Sequence, residues 1–401
     1  MILKAQKLHE LSVFCDLYKD DLFQCFVELI DLQSKNASTE ALRAQLARFA
    51  AALYKTNTQD WADYLEKKVL ACETCCAWYA GREHEIPRLM LDAAMNELAV
   101  LSQAGMVQSS DFEASEGLAQ WIGHEVDLQA EYLNRLMHIG EYGTGDFALY
   151  TMFRLEDVPG GYKILPVNNP DPVRMEDLIG YQMQHETVLD NTRLLLEGRI
   201  ASNILLYGDA GTGKSATVKA AVNELSGNGL RLIEVTKNQL HWLPRLLDEL
   251  TANPLKFIIF IDDLSFQDND DDFAALKAVL EGSVSARSIN TVIYATTNRR
   301  HIVRETFSAR GNDDIHRNDT MQETVSLSER FGIKLLFEKP NADTYFEIVR
   351  VLADQMGVTL SEAELKRKAE QFALRKSGRS ARAARQLAEQ LASQEGRKLE
   401  C

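Results

Sequence analysis

From about residue 8 to residue 140, apolar side chains recur every three or four positions, as in Leu22, Phe23, Phe26, Leu29 and Ile30, and again in Leu42, Leu46, Phe49 and Leu53. That spacing lines them up along one stripe of a helix. Capping and turn residues cluster at 34–39, 56–60, 81–87 and 102–111, and Pro87 is the one proline of the stretch. The pattern predicts helices that hide their stripes against one another in a bundle.

At residue 147 the period changes. Phe147 to Leu155 and Tyr162 to Val167 are aromatic and β-branched runs joined by Val158-Pro159-Gly160-Gly161, which predicts a β-hairpin. Prolines 166, 170 and 172 exclude regular helix or sheet and mark a boundary. Beyond it the patterns alternate: helix 183–197, strand 203–207, helix 214–225, strand 230–235, helix 239–251, strand 256–261, helix 271–281 and strand 291–296. Such alternation predicts a parallel sheet between helical layers. After about residue 340 only helical segments remain, at 342–356, 361–375 and 380–393. The expected fold class is α/β, a parallel αβα sheet with a C-terminal helical lid, preceded by an all-helical N-terminal domain. The expected divisions are a helical domain at 1–145, a hairpin and proline-rich linker at 146–172, the αβα core at 173–340 and the lid at 341–401.

The chemistry concentrates where strands end. Gly208-Asp209-Ala210-Gly211-Thr212-Gly213-Lys214-Ser215 follows the apolar strand Ile204–Tyr207 and opens the helical run Ala216–Leu225. A glycine-rich turn between a strand and a helix lets backbone N–H groups converge on phosphate oxygens at the positive end of the helix. The nucleotide-binding set therefore runs from Gly208 to Ala216, with Lys214 directed at the β and γ phosphates of ATP and the Ser215 hydroxyl at Mg²⁺. The continuous apolar run Phe257–Ile261 reads as a strand buried on both faces and ends in Asp262 and Asp263. Asp262 is expected to help hold Mg²⁺, and Asp263 to orient the attacking water. Asn298 ends the strand Thr291–Thr297 at the same edge, where its amide can reach the γ-phosphate or the water. The acidic run Asp268–Asp272 reads as a solvated loop and helix start.

Phosphate loop, acidic strand end, polar strand end, Ser328-Glu329-Arg330-Phe331-Gly332 and helical lid together resemble an AAA+ ATPase over residues 173–395. More narrowly, Leu178–Tyr181, Ile261–Phe266, Tyr294–His301 and Leu327–Gly332 resemble a bacterial AAA+ family with no assigned function. The resemblance implies that Arg330 is a finger reaching a neighbouring subunit's γ-phosphate and that Arg382 is the lid arginine on bound nucleotide, with Arg379 competing for that role. It also implies that Ile179 and Gly180 line the adenine pocket, and that the chain forms a homo-oligomer such as a hexamer. Most AAA+ ATPases carry Asp-Glu where this chain has Asp262-Asp263, so the expected hydrolysis is slow.

Charge changes the picture for partners. The chain carries a net −15, and residues 1–150 hold 12 basic against 23 acidic side chains, leaving 32 against 36 for the remainder. An acidic helical domain repels polyanions and membrane surfaces and favours protein partners. Against this, the lid from Lys366 to Arg385 carries eight basic residues and one acidic, a pattern that can bind nucleic acid. The expected function is an ATP hydrolase that remodels a protein client. The alternatives are a nucleic-acid-associated ATPase of the helicase-loader kind and a non-hydrolysing nucleotide switch.

No run of 18 apolar residues and no export signal is legible, and six cysteines in 401 residues fit a reducing compartment, so a cytoplasmic location without membrane contact is expected. Cys72, Cys75 and Cys76 lack a second cysteine pair, and Cys72 and Cys76 read as thiols on one helical face with Val69 and Tyr79. Trp242 is open to two readings, a core residue or a pore-facing aromatic.

Overall fold

The computed structural model describes residues 5–264, 276–280, 289–298, 328–376 and 378–394. They fall into two compact units, Met1–Tyr150 with Ala252–Leu255, and Thr151–Thr251 with Lys256–Cys401. Among the described residues no helix is long and apolar enough to cross a membrane.

The first unit is helical: α1 Ala5–Leu8, α2 Asp21–Ser34, α3 Thr39–Tyr54, α4 Trp61–Ala71, α5 Cys75–Ala80, α6 Arg88–Gly105, α7 Leu128–Met137, α8 Ile139–Tyr142 and α9 Asp146–Leu149. The side chains of Asp20, Ser38, Asp60, Thr74 and Asp127 each accept an N–H in the first turn of the helix they cap. Aromatic rings fill the centre. Phe26 stacks on Trp61 at 4.5 Å, Phe49 meets Trp61 and Trp121 edge-on at 5.1 and 4.9 Å, and the Trp61 indole N–H donates to the Ala104 carbonyl at 3.0 Å. The thiols of Cys72 and Cys76 do not share a helical face as expected. Helix α4 stops at Ala71, and Thr74 caps a new helix, so the chain is extended at Cys72. Both thiols are nevertheless buried, and burial pushes Cys72 up to about 12 and Cys76 up to about 11.

The second unit is built on one seven-stranded sheet in the order β2-β1-β4-β5-β6-β3-β7. Strands β1 (Met152–Val158) and β2 (Gly161–Pro166) are the hairpin, and β1 also pairs in parallel with β4 (Leu230–Glu234). The hairpin therefore extends the sheet, because Met152, Phe153 and Leu155 are buried there. It is fastened from the side by Trp242, which is half-buried against Tyr162 at 5.5 Å with its indole N–H on Asp157 at 2.9 Å, neither a core residue nor a free one. Strands β5 (Lys256–Ile261), β6 (Thr291–Thr297), β3 (Ile204–Gly208) and β7 (Ile333–Phe337) continue the parallel order.

Helices α10 (Gln182–Leu196), α11 (Lys214–Leu225) and α12 (Leu243–Thr251) lie between the strands in sequence. The helix expected at 239–251 divides into a 3-10 turn, Lys237–Trp242, and α12, with Pro244 in the first turn of the latter. Strand β7 was not anticipated: it follows the Ser-Glu-Arg-Phe-Gly segment, carries Lys334 inside it and is only partly buried, so it lacks the apolar run that marks β3 and β5. Of the helix expected at 271–281, residues 276–280 are described and helical; the acidic run 268–272 lies outside the described residues. The lid helices are α13 (Ala342–Gln355), α14 (Glu362–Arg375) and α15 (Ala381–Gln394), which share a core of Tyr345, Ile348, Val349, Leu365, Ala384 and Leu387.

One buried polar knot ties α10 to the sheet. The Asn191 amide donates to the Ser202 carbonyl at 2.8 Å and the Tyr294 hydroxyl at 3.0 Å, and Thr192 Oγ1 lies 2.8 Å from the same hydroxyl. Replacing Tyr294 by Phe removes one buried partner from each of Asn191 and Thr192, which keep only their bonds to Ser202 and Val188. We expect Tyr294→Phe to cost about 1–3 kcal/mol in urea denaturation while nucleotide affinity stays unchanged; an unchanged midpoint contradicts the knot's role.

Candidate functional site

Strand β3 lies between β6 and β7, and the glycine-rich loop leaves its carboxyl end. Gly208 has φ +133°, and a Cβ there would come within 2.2 Å of the Phe337 carbonyl oxygen, so only glycine lets the loop start this close to β7. Gly211 has φ +74°, and its missing Cβ leaves room for Arg382 Cβ and Ser380 Oγ of the lid at 3.1 and 3.3 Å. The Arg382 N–H donates to the Gly211 carbonyl at 3.2 Å. Gly213 is the N-cap residue of α11, which starts at Lys214.

Lys214 is only 5% exposed. Its Nζ donates to the carbonyls of Gly208 at 3.3 Å and Asp209 at 2.6 Å, and to Asn298 Oδ1 at 3.0 Å. Burial holds its pKa below the usual lysine range, opposed by the carboxylates of Asp209, Asp262 and Asp263. Ser215 Oγ donates to Asp262 Oδ1 at 2.6 Å. Asn298 Nδ2 donates to Asp263 Oδ1 at 2.8 Å, so Asn298 joins Lys214 to Asp263 through its two amide atoms. Lys214, Ser215, Asp262, Asp263 and Asn298 thus come together at one edge of the sheet, the carboxyl ends of β3, β5 and β6.

The other expected residues divide into two groups. Ile179 packs on the lid core, and Gly180, at φ +80°, faces Thr344 Cγ2 of α13. Tyr181 follows with its ring 4.9 Å from Phe337 and its hydroxyl donating to the Glu338 carbonyl; burial, then Asp209 and Glu338, push it up to about 12. Ala210 is exposed, Thr212 Oγ1 donates to the Asp209 carbonyl at 2.9 Å, and Ala216 lies in the first turn of α11. Arg382 and Arg379 are both exposed; the charge of Arg382 reaches Lys214, and that of Arg379 reaches the Tyr345 hydroxyl. Arg330 stands apart, three residues before β7, at the amino end of a strand whose carboxyl end adjoins the loop.

One participant escaped the sequence reading. Thr296, 2% exposed on β6, donates to Asp262 Oδ1 at 2.6 Å and accepts the Asp263 N–H at 2.9 Å. Strand β6 carries three further hydroxyls, on Thr291, Tyr294 and Thr297, so nothing in the sequence singled Thr296 out. Asp209, expected within the nucleotide-binding set, also accepts the Lys339 N–H on Oδ2 at 2.9 Å, tying the loop to the segment that leads into the lid.

A family model described as "Protein of unknown function (DUF815)" matches residues 148–395. The chain belongs to this family. The match spans the whole sheet, the loop and the lid, and accords with the AAA+ resemblance. No curated protein matches the sequence. Among solved structures, the chain is similar to the Thermotoga maritima RuvB Holliday junction branch migration motor, at 17% identity and TM-score 0.37 over 54% of this chain and 63% of that one. It is also similar to the replication initiator DnaA bound to AMPPCP and single-stranded DNA, at 16% and 0.39 over 55% of this chain and 65% of that one. The FIGL-1 AAA domain in complex with ADP matches at 18% and 0.39, over 56% and 74%. The chain thus spans less than two thirds of the length of RuvB and DnaA. At such scores the likeness says nothing about activity.

The loop geometry makes two substitutions informative. Lys214→Ala should leave the circular dichroism spectrum unchanged and weaken ATP binding about a hundredfold, the value of charge-assisted bonds lost to phosphate. Gly208→Ala should do the same by forcing the loop off Phe337. ATP affinity unchanged in either variant, measured by calorimetric titration, contradicts the phosphate-loop assignment.

Proposed function

We propose that this protein binds ATP with Mg²⁺ and hydrolyses it to ADP and phosphate to remodel a protein partner. The observation that carries the proposal is the burial of the Lys214 ammonium among loop carbonyls, beside the Ser215–Asp262 contact at 2.6 Å. A hydroxyl and a carboxylate in contact are hard oxygen donors of the kind Mg²⁺ takes, and glycines 208, 211 and 213 all have positive φ, so the residues fit both groups. Loop N–H groups and Lys214 bind the phosphates, and Ser215 and Asp262 hold the metal. When bound, the metal neutralises phosphate charge. Asp263, gripped by Asn298, takes the proton from water as the water oxygen bonds to the γ-phosphorus and the bridging oxygen leaves with ADP. Ile179, Gly180 and Arg382 cover the nucleoside from the lid side.

Arg330 supports assembly. Strand β7 is five residues long, about 17 Å of extended chain, and Arg330 precedes it at the end remote from the loop. In the proposed reading it completes the site of a neighbouring copy, which makes the working form a homo-oligomer. The acidic helical unit is the client-binding part: it exposes Leu89 and Met137 at 84% and 74%, and a protein surface tolerates its negative charge better than a polyanion does. A nucleic-acid client is favoured by one observation, the exposure of Lys366, Arg367, Arg375 and Lys376 along α14.

Arg330→Ala should bind ATP normally and lose about three orders of magnitude in turnover. Mixing it with Asp263→Asn chains should restore turnover if sites are shared, whereas a mixture as slow as its components contradicts sharing. For the client, ATPase activity should not respond to single- or double-stranded DNA at physiological salt. Stimulation that disappears when Lys366, Arg367, Lys368, Arg375 and Lys376 are neutralised would replace the protein client with a nucleic acid.

A further inference from the structure

The turn that carries the two carboxylates has an unusual backbone. Asp263 has φ +53°, one of five non-glycine residues with positive φ among those described. Three of the five are Asn or Asp, whose short side chains bond locally to the backbone there; Glu83 and Tyr181 are the other two, so the conformation favours Asp without excluding Glu. The conformation is held from β6. Thr296 Oγ1 accepts the Asp263 N–H at 2.9 Å and donates to Asp262 Oδ1 at 2.6 Å, while the Thr296 carbonyl accepts the Leu264 N–H at 2.7 Å. Asp262 Oδ1 also accepts the Asp263 N–H at 3.1 Å and the Ser215 hydroxyl at 2.6 Å. One buried threonine thus bonds to three successive residues, Asp262, Asp263 and Leu264.

We infer that Thr296 is the positioning residue of both carboxylates, and that the left-handed turn it holds is the reason the second one is Asp where most AAA+ ATPases have Glu. The turn brings the short side chain up to Asn298 Nδ2 at 2.8 Å without further reach. A Glu in its place adds a methylene, about 1.5 Å, which carries the carboxylate past that amide, and it fits the left-handed backbone less well. The Asp-Asp pair is then a matched set with Thr296 and Asn298, and the hydrolysis it supports is not weakened by the missing methylene. In its rate arm this inference rests on the ATP-hydrolysis reading; in its metal arm it rests only on nucleotide and cation binding.

The test compares Thr296→Val, Thr296→Ser and Asp263→Glu with the wild-type chain in two measurements: Mn²⁺ affinity of the ADP complex by electron paramagnetic resonance, and single-turnover hydrolysis of ATP. Thr296→Val, which keeps shape and removes the hydroxyl, should weaken Mn²⁺ binding about tenfold to a hundredfold and leave metal-free ADP affinity unchanged. Thr296→Ser should recover most of that loss. Asp263→Glu should bind ADP and Mn²⁺ like the wild type and hydrolyse ATP about a hundredfold more slowly. Mn²⁺ affinity unchanged in Thr296→Val overturns the positioning role, and an Asp263→Glu protein as fast as the wild type or faster overturns the explanation of the Asp. Should Thr296→Val fail to fold, Thr296→Ala takes its place with the same expected loss of Mn²⁺ affinity, and Asp263→Glu still tests the explanation of the Asp. A wild-type chain that binds ADP and Mn²⁺ without turnover sinks the hydrolysis reading and leaves the metal arm to judge Thr296. A wild-type chain that binds no ADP removes the site itself.

Discussion

The ammonium group of Lys214 is taken almost completely out of water, and removing a charge from water costs several kcal/mol unless other groups replace the lost hydration. Here the replacement is two backbone carbonyls of the loop and the side-chain oxygen of Asn298. Three carboxylates add a favourable field, although burial remains the larger influence on its pKa. The two carbonyls belong to the loop itself, whereas Asn298 and the carboxylates of Asp262 and Asp263 are in reach because β5, β6 and β3 lie side by side and parallel. A parallel sheet delivers all its carboxyl ends to one edge, so the strand order is what allows residues 47 and 84 positions away from the loop to contact it.

The same parallel order separates Arg330 from the loop by the length of β7, and the lid is drawn to the loop at short-range contacts. Gly208 abuts the Phe337 carbonyl, Asp209 accepts the Lys339 N–H, and Gly211 accepts the Arg382 N–H. The Tyr181 hydroxyl holds the Glu338 carbonyl from the other side. The segment entering the lid is therefore held both by residues of the glycine-rich loop and by Tyr181.

Much of this was legible before any coordinates. Period 3.6 marked the first unit as helical because burial on one face leaves a repeating trace, and six of the seven strands were legible as short β-branched, aromatic or continuously apolar runs, the central ones buried on both faces. The phosphate loop, Asp262, Asp263 and Asn298 were legible because each follows an apolar run long enough to be read as a strand. Failures had local causes. Strand β7, interrupted by Lys334 and only partly buried, leaves no apolar run, and the hairpin's membership of the main sheet depends on β1 pairing with β4, a contact between distant segments. Cys72 and Cys76 looked like one helical face because spacing cannot show that Thr74 caps a new helix between them. Thr296 was invisible for a different reason: its role is a pair of hydrogen bonds, to the Asp262 carboxylate and the Asp263 N–H, which any of the four hydroxyls of β6 could make and only the fold selects.

The central claim is that the buried lysine and its loop grip the β and γ phosphates of a nucleotide. Calorimetric titration of the wild-type chain with ATP, ADP and AMP tests it most directly, since the three ligands share a nucleoside and differ only in the phosphates that the loop is proposed to hold. The account predicts one site per chain, with binding of ATP and ADP and no measurable binding of AMP. AMP bound as tightly as ATP, or none of the three bound at all, would contradict it.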